Sequence, residues 1–175
     1  MIPSETTGFA FACPLKTGLP CVMSREEGKK LVFYSLDPIR GKGEQLGKLE
    51  ADLEPFYDWA ISPDGSRLAA IDKSHKGRIE VLTLSDHVWD EIVVDPEWQH
   101  LQSIAWTVDG KGFFTTCWSP DSFNLLRVTL AGKVEPLLRK GRSQWFWGPR
   151  PSPDGKYLAF DGQTWDSNVW LIERP

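Results

Sequence analysis

The feature that most constrains this chain is a short turn that returns on a fixed period. Ser62-Pro63-Asp64-Gly65 is repeated as Thr107-Val108-Asp109-Gly110 and again as Ser152-Pro153-Asp154-Gly155, and the aspartates stand 45 residues apart both times. Self-similarity at a period of 20–50 residues is the mark of a repeat architecture, in which no single unit can bury its apolar surface alone. The tetrad itself has a physical job. Proline presets φ at the second position of a type I turn, aspartate suits the third, and glycine takes the left-handed conformation that returns the chain to a strand. Val108 replaces proline in the middle copy, which keeps Asp-Gly and loses the preset.

The flanks repeat as well. Apolar or aromatic runs precede each turn (57–61, 104–106, 145–147) and follow it (68–71, 113–117, 157–160). A polar connection comes next, then a third run (78–84, 124–130, 168–172), and in the middle units a fourth (91–94, 134–138). Short β-branched and aromatic runs separated by turn residues read as antiparallel strands. Upstream, 19–24 and 30–36 read as strands of a unit without the tetrad, with 44–50 a weaker fourth; Leu31–Asp37 parallels Ile79–Ser85. Four strands in about 45 residues is the size of a β-propeller blade. The expected fold is therefore all-β, about four propeller blades of four-stranded antiparallel sheets, with blades at about 19–54, 55–99, 100–143 and 144–175. Residues 1–18 form an N-terminal arm. Its apolar run, Phe9–Ala12, is either a first strand of the first blade or a strand that closes the ring against the last. An open or self-associating partial propeller is preferred over a small closed ring.

With Trp59–Ala70 and Pro149–Phe160 in hand, and a degenerate copy at 104–114, the chain resembles the WD40-like (PD40) repeat of TolB-type propellers over roughly residues 20–175. Its C-terminal half, notably 141–145 and 167–171, is similar to propeller segments of bacterial regulatory proteins. There, a serine/threonine kinase or winged-helix module commonly precedes the propeller. This chain carries neither a Gly-rich loop with its lysine nor a basic recognition helix. The resemblance implies protein–protein interaction or sensing rather than chemistry, and it implies six to eight blades where this chain has about four.

Composition narrows the function further. A formal net charge of −4 argues against nucleic acid, whose binders need a basic field to displace counterions. No window approaches the ~20 apolar residues of a membrane span, and residues 1–12 lack a signal-peptide pattern; a cytoplasmic location is the expectation for the chain as it stands. Three cysteines (Cys13, Cys21, Cys117) are too few for a disulfide scaffold. Cys13 and Cys21 could bridge under oxidising conditions, but reduced, buried thiols are the preferred reading.

No Gly-x-Ser-x-Gly elbow occurs, the local mark of a serine nucleophile held for a histidine base. His75, His87 and His100 are kept apart by the repeat. Asp64, Asp109 and Asp154 are equivalent and could hold calcium, but the turn role already accounts for them. No catalytic residue, metal or cofactor is expected. The candidate interaction surface is aromatic and basic: Trp118, Arg142, Trp145, Trp147 and Trp165. Exposed tryptophan makes a strong interface anchor, and nine Trp is a high count for 175 residues. Trp118-Ser119-Pro120-Asp121 imitates the tetrad but falls in a connection between second and third strands. The expected role is a non-enzymatic module for protein–protein interaction or sensing, an accessory or terminal part of a larger regulatory protein. The alternative is a propeller that binds a peptide or sugar for an associated enzyme. A protein partner, a homodimer or completion of a larger propeller are the partners this implies.

Overall fold

The computed structural model describes residues 9–50, 57–72, 76–141, 143–164 and 166. The described residues form fourteen strands. The first sheet holds β1 (Phe9–Ala12), β2 (Cys21–Glu27), β3 (Lys30–Asp37) and β4 (Gly41–Glu50). The second holds β5 (Tyr57–Ile61), β6 (Arg67–Asp72), β7 (Arg78–Thr83) and β8 (Val88–Val93). The third holds β9 (Leu101–Trp106), β10 (Gly112–Ser119), β11 (Ser122–Thr129) and β12 (Val134–Gly141). In the fourth, β13 (Gln144–Pro151) pairs with β14 (Leu158–Thr164). Every sheet is a meander whose strands follow sequence order, and every pairing is antiparallel. The third run expected at 168–172 lies outside the described residues.

Strand alternation decides how the sheets stack. Because successive side chains point to opposite faces, β6 sends Leu68 and Ala70 to one side and Ala69 and Ile71 to the other. Leu68 and Ala70 join Val22, Leu31, Phe33 and Leu82 in a core between the first and second sheets. Ala69 and Ile71 join Ile104, Phe113, Leu126 and Val128 in a core between the second and third. The second sheet is thus greasy on both faces and buries each against a neighbour, the packing that makes a blade. The inner strand β9 lies against both β5 and β13. Polar ties cross the same seams: Trp59 Nε1 donates to Ser24 Oγ (2.9 Å), Trp106 Nε1 to Ala60 O (3.0 Å), and Ile104 N to the Asp58 carboxylate (2.9 Å).

The three repeated turns have one hydrogen-bond pattern. Gly65, Gly110 and Gly155 donate their N–H to the carbonyls of Ser62, Thr107 and Ser152 at 2.9, 2.9 and 2.8 Å, with φ at +73°, +65° and +70°. The hydroxyl of each of those residues donates to the aspartate Oδ1 at 2.6 Å. That oxygen also accepts the N–H of Ser66, Lys111 and Lys156. Val108 makes no difference to this geometry. The aspartate's bonds and the left-handed glycine suffice to close the turn, so proline only presets it.

Two open alternatives are settled, the second in favour of the preferred open stack, and one expectation is overturned. Phe9–Ala12 pairs with β2 from Phe9↔Arg25 to Ala12↔Val22, so the arm supplies the first sheet's inner strand rather than a closing strand. Among the described residues no strand joins the first sheet to the fourth, and the stack is open rather than a small closed ring. Cys13 and Cys21 form a disulfide, not the pair of reduced thiols expected. They occupy the next positions beyond Ala12↔Val22, where facing strands bring two Cβ atoms together. Among the described residues no helix is long and apolar enough to cross a membrane.

Candidate interaction face

Hairpin geometry sorts the candidate residues. The Asp-Gly turns close one end of the hairpins β5–β6, β9–β10 and β13–β14, so β9 begins and β10 finishes at the opposite end. The pairs Ser122↔Gly141 and Gln144↔Thr164 put the start of β11, the end of β12 and the start of β13 there too. Trp118, at the end of β10, and Trp145, at the start of β13, therefore share a face of the stack, with Trp147 one pleat further in. Arg142 and Trp165 lie outside the described residues.

The centre of this face is Phe123, which is buried. Trp145 stacks on it with centroids 5.6 Å apart and planes 19° from parallel, and Trp145 and Trp147 stack on each other at 6.4 Å. Phe146 meets Phe123 edge-on at 6.2 Å and Phe160 at 5.2 Å. Such pairs hold ring orientation beyond what area burial alone supplies. Trp145 is nonetheless 37% exposed, as is Trp118. The sequence singled out both tryptophans but not Phe123, whose only signal is its position across from Trp118 in the β10–β11 ladder.

Trp118 belongs to a strand, not to the connection expected, because β10 runs on to Ser119 and only Pro120-Asp121 forms the loop. The hairpin end is fixed from inside. Buried Asn124 donates to Ser119 Oγ (2.9 Å) and to Cys117 O (3.4 Å), while Trp118 N donates to His100 O (3.0 Å). The His100 ring meets Trp118 edge-on at 5.2 Å. A 3-10 turn, Pro96–Trp98, precedes β9 and is started by Asp95, whose side chain accepts Glu97 N. Between it and the Pro120-Asp121 loop opens a cleft of about 370 Å³, lined by Glu97, Gln99, His100, Asp121 and Arg139. None of these five was among the residues expected on the interaction surface. They converge from the β8–β9 connection, the β10–β11 loop and strand β12, which spacing along the chain cannot reveal.

The remaining chemistry is quiet. The Ser62 hydroxyl and the Ser66 amide hold the Asp64 carboxyl at about 2, below the usual carboxylate range. Equivalent bonds from Thr107 and Ser152 lower Asp109 and Asp154. These carboxylates serve their turns, and among the described residues no group of three or more His, Cys, Asp or Glu is placed to hold a metal. Cys117 is buried in the core, and desolvation pushes its thiol up to about 11, the opposite of an activated nucleophile. His87 lies between β7 and β8 and contacts Leu46 O, well apart in the chain from His100; His75 lies outside the described residues.

Solved structures share this fold. TolB from Acinetobacter baumannii superposes with a TM-score of 0.65 at 22% identity, over 85% of this chain and 36% of that one. The chain is a TolB-like propeller segment in fold. A prolyl endopeptidase structure matches with a TM-score of 0.57 at 18% identity, over 89% of this chain and 26% of its own. A putative 6-phosphogluconolactonase from Bacteroides uniformis matches at 0.51 and 15%, over 82% and 47%. The segment thus spans about a third of TolB and less than half of the others. No family model and no curated protein sequence matches it.

Proposed function

We propose that this propeller segment is a non-enzymatic interaction module that binds a protein partner on the face opposite its Asp-Gly turns, and that it works as an accessory or terminal part of a larger regulatory protein. One observation carries the reading: Trp118 and Trp145 are each 37% exposed on the same face. Tryptophan held rigid by a buried neighbour, with an exposed side, loses little entropy when a partner covers it and supplies large contact area. The cleft beside Trp118 adds polar groups of both signs, Glu97, Asp121 and Arg139, suited to orienting a polypeptide. A second reading, a peptide- or sugar-binding propeller serving an enzyme, draws on the prolyl endopeptidase and 6-phosphogluconolactonase likenesses. Those likenesses are of fold alone.

The test places a photo-cross-linking amino acid at position 118 or 145 in the chain expressed in its native host. Tyr157, exposed at the turn end, is the control position. A protein adduct specific to 118 and 145 supports the proposal. Adducts equal at 157, or none at any position, overturn it.

A further inference from the structure

The first sheet lacks the repeated tetrad and uses a different device at the same end. Its β1–β2 connection is closed at the mouth by Cys13 and Cys21, directly beyond the last register pair of the hairpin. The loop so enclosed sits on the second sheet's turn. Lys16 N donates to Pro63 O (3.1 Å), and Pro14 and Leu19 pack so close to Gly65 that a methyl group there would displace the Leu19 side chain and press on Pro14. The same end of the stack is linked onward from turn to turn. Arg67 Nη2 donates to Gly110 O (2.9 Å), and Gly155 packs toward Val108. The disulfide-bounded loop thus stands first in a series of touching turns.

Among the described residues little else holds this loop or the strand before it. There β1, of four residues, pairs in its sheet with β2 alone, and Ala12 adds one contact with the first seam. Phe11 is 64% exposed, and Leu15 and Leu19 are exposed as well. Segments with few buried contacts open locally at small cost, so a covalent closure of the loop is what makes its docked state persist.

We propose that Cys13–Cys21 is a redox latch: oxidised, it seats the first sheet's loop on the second sheet's Ser62–Gly65 turn, and reduced, it releases the loop and the inner strand β1. The working form is the oxidised one, which places folding of the chain in an oxidising compartment. The step is thiol–disulfide exchange. An external dithiol gives two electrons and two protons to the S–S bond, leaving Cys13 and Cys21 as thiols and the dithiol as its own disulfide. Cys117 takes no part, since it is buried in the core between the second and third sheets.

Amide exchange on the whole chain tests this, with and without a dithiol reductant. The Lys16 amide, protected by Pro63 O, should exchange about ten- to a hundredfold faster after reduction, together with the amides of β1. Amides of β9 to β11 should stay within twofold. Cys13→Ser/Cys21→Ser should show the fast rate without reductant and ignore its addition, while Cys117→Ser should behave as the parent chain. Should the double variant not fold, reduction of the parent chain is the same experiment. A Lys16 rate unmoved by reduction overturns the latch. Three titratable thiols in unfolded protein, after equilibration in an oxidising glutathione buffer, overturn the disulfide itself.

Discussion

Phe33→Ala is the sharpest test of sheets that bury themselves only against each other. Phe33 is fully buried between the first and second sheets, edge-on to Trp59 at 5.5 Å and 6.2 Å from Trp89. Truncation removes a whole ring from a seam whose walls are two hydrogen-bonded sheets. Those walls cannot collapse into the void without breaking register. The cost should fall in the upper part of the usual range for such changes, about 3–5 kcal/mol. In a stack with nearest-neighbour coupling that cost is local. Amide exchange read residue by residue should show protection in β2 and β3 falling by about two to four orders of magnitude. Protection in β10 and β11, one seam away, should change by less than about 0.5 kcal/mol. Phe113→Ala, in the seam between the second and third sheets, should reach β6 and β10 and spare β3. Equal loss across all three sheets would show one indivisible core and refute the argument. So would a cost below about 1 kcal/mol at Phe33, which would mean the ring is not packed as described.

Acid should weaken the turns before it weakens the seams. Asp64 is held at about 2 by Ser62 and Ser66. A carboxyl lowered on folding stabilises above its ordinary value near 4, and the benefit fades as pH falls toward 2. Asp64 is solvent-exposed, so its share after screening is about 1 kcal/mol at most. In chemical denaturation, Asp64→Asn should flatten the fall in stability between pH 4 and 2, and an unchanged slope would count against the turn bonds. Cys117 should stay unreacted with iodoacetamide at pH 8 in the native chain and react on unfolding, because its thiol is buried and raised to about 11. Native-state labelling would place it outside the core.

Much of the architecture was legible in the residues because it is local. A turn needs only four residues in order, so Ser62–Gly65 and its two copies announced themselves, and the apolar run Leu68–Ile71 read as a strand. The expectation about Trp118 erred on a local point: Ser119 and Ser122 face each other at the end of a ladder, and nothing nearby breaks the strand earlier. The cysteines erred for another reason. Burial statistics favour a free thiol, but the hairpin register of β1 and β2 sets Cys13 opposite Cys21, and register is a pairing between segments.

By itself, then, the sequence determined the period, the turns, the strands and the class of fold, all of which rest on interactions within about ten residues. The tertiary structure alone decided that β1 opens the first sheet, that two cysteines meet, and that Trp118 and Trp145 share a face. It also decided that Glu97, His100, Asp121 and Arg139 wall one cleft. Those facts depend on which segment lies beside which, and that is settled by the burial of whole faces rather than by any neighbouring residue.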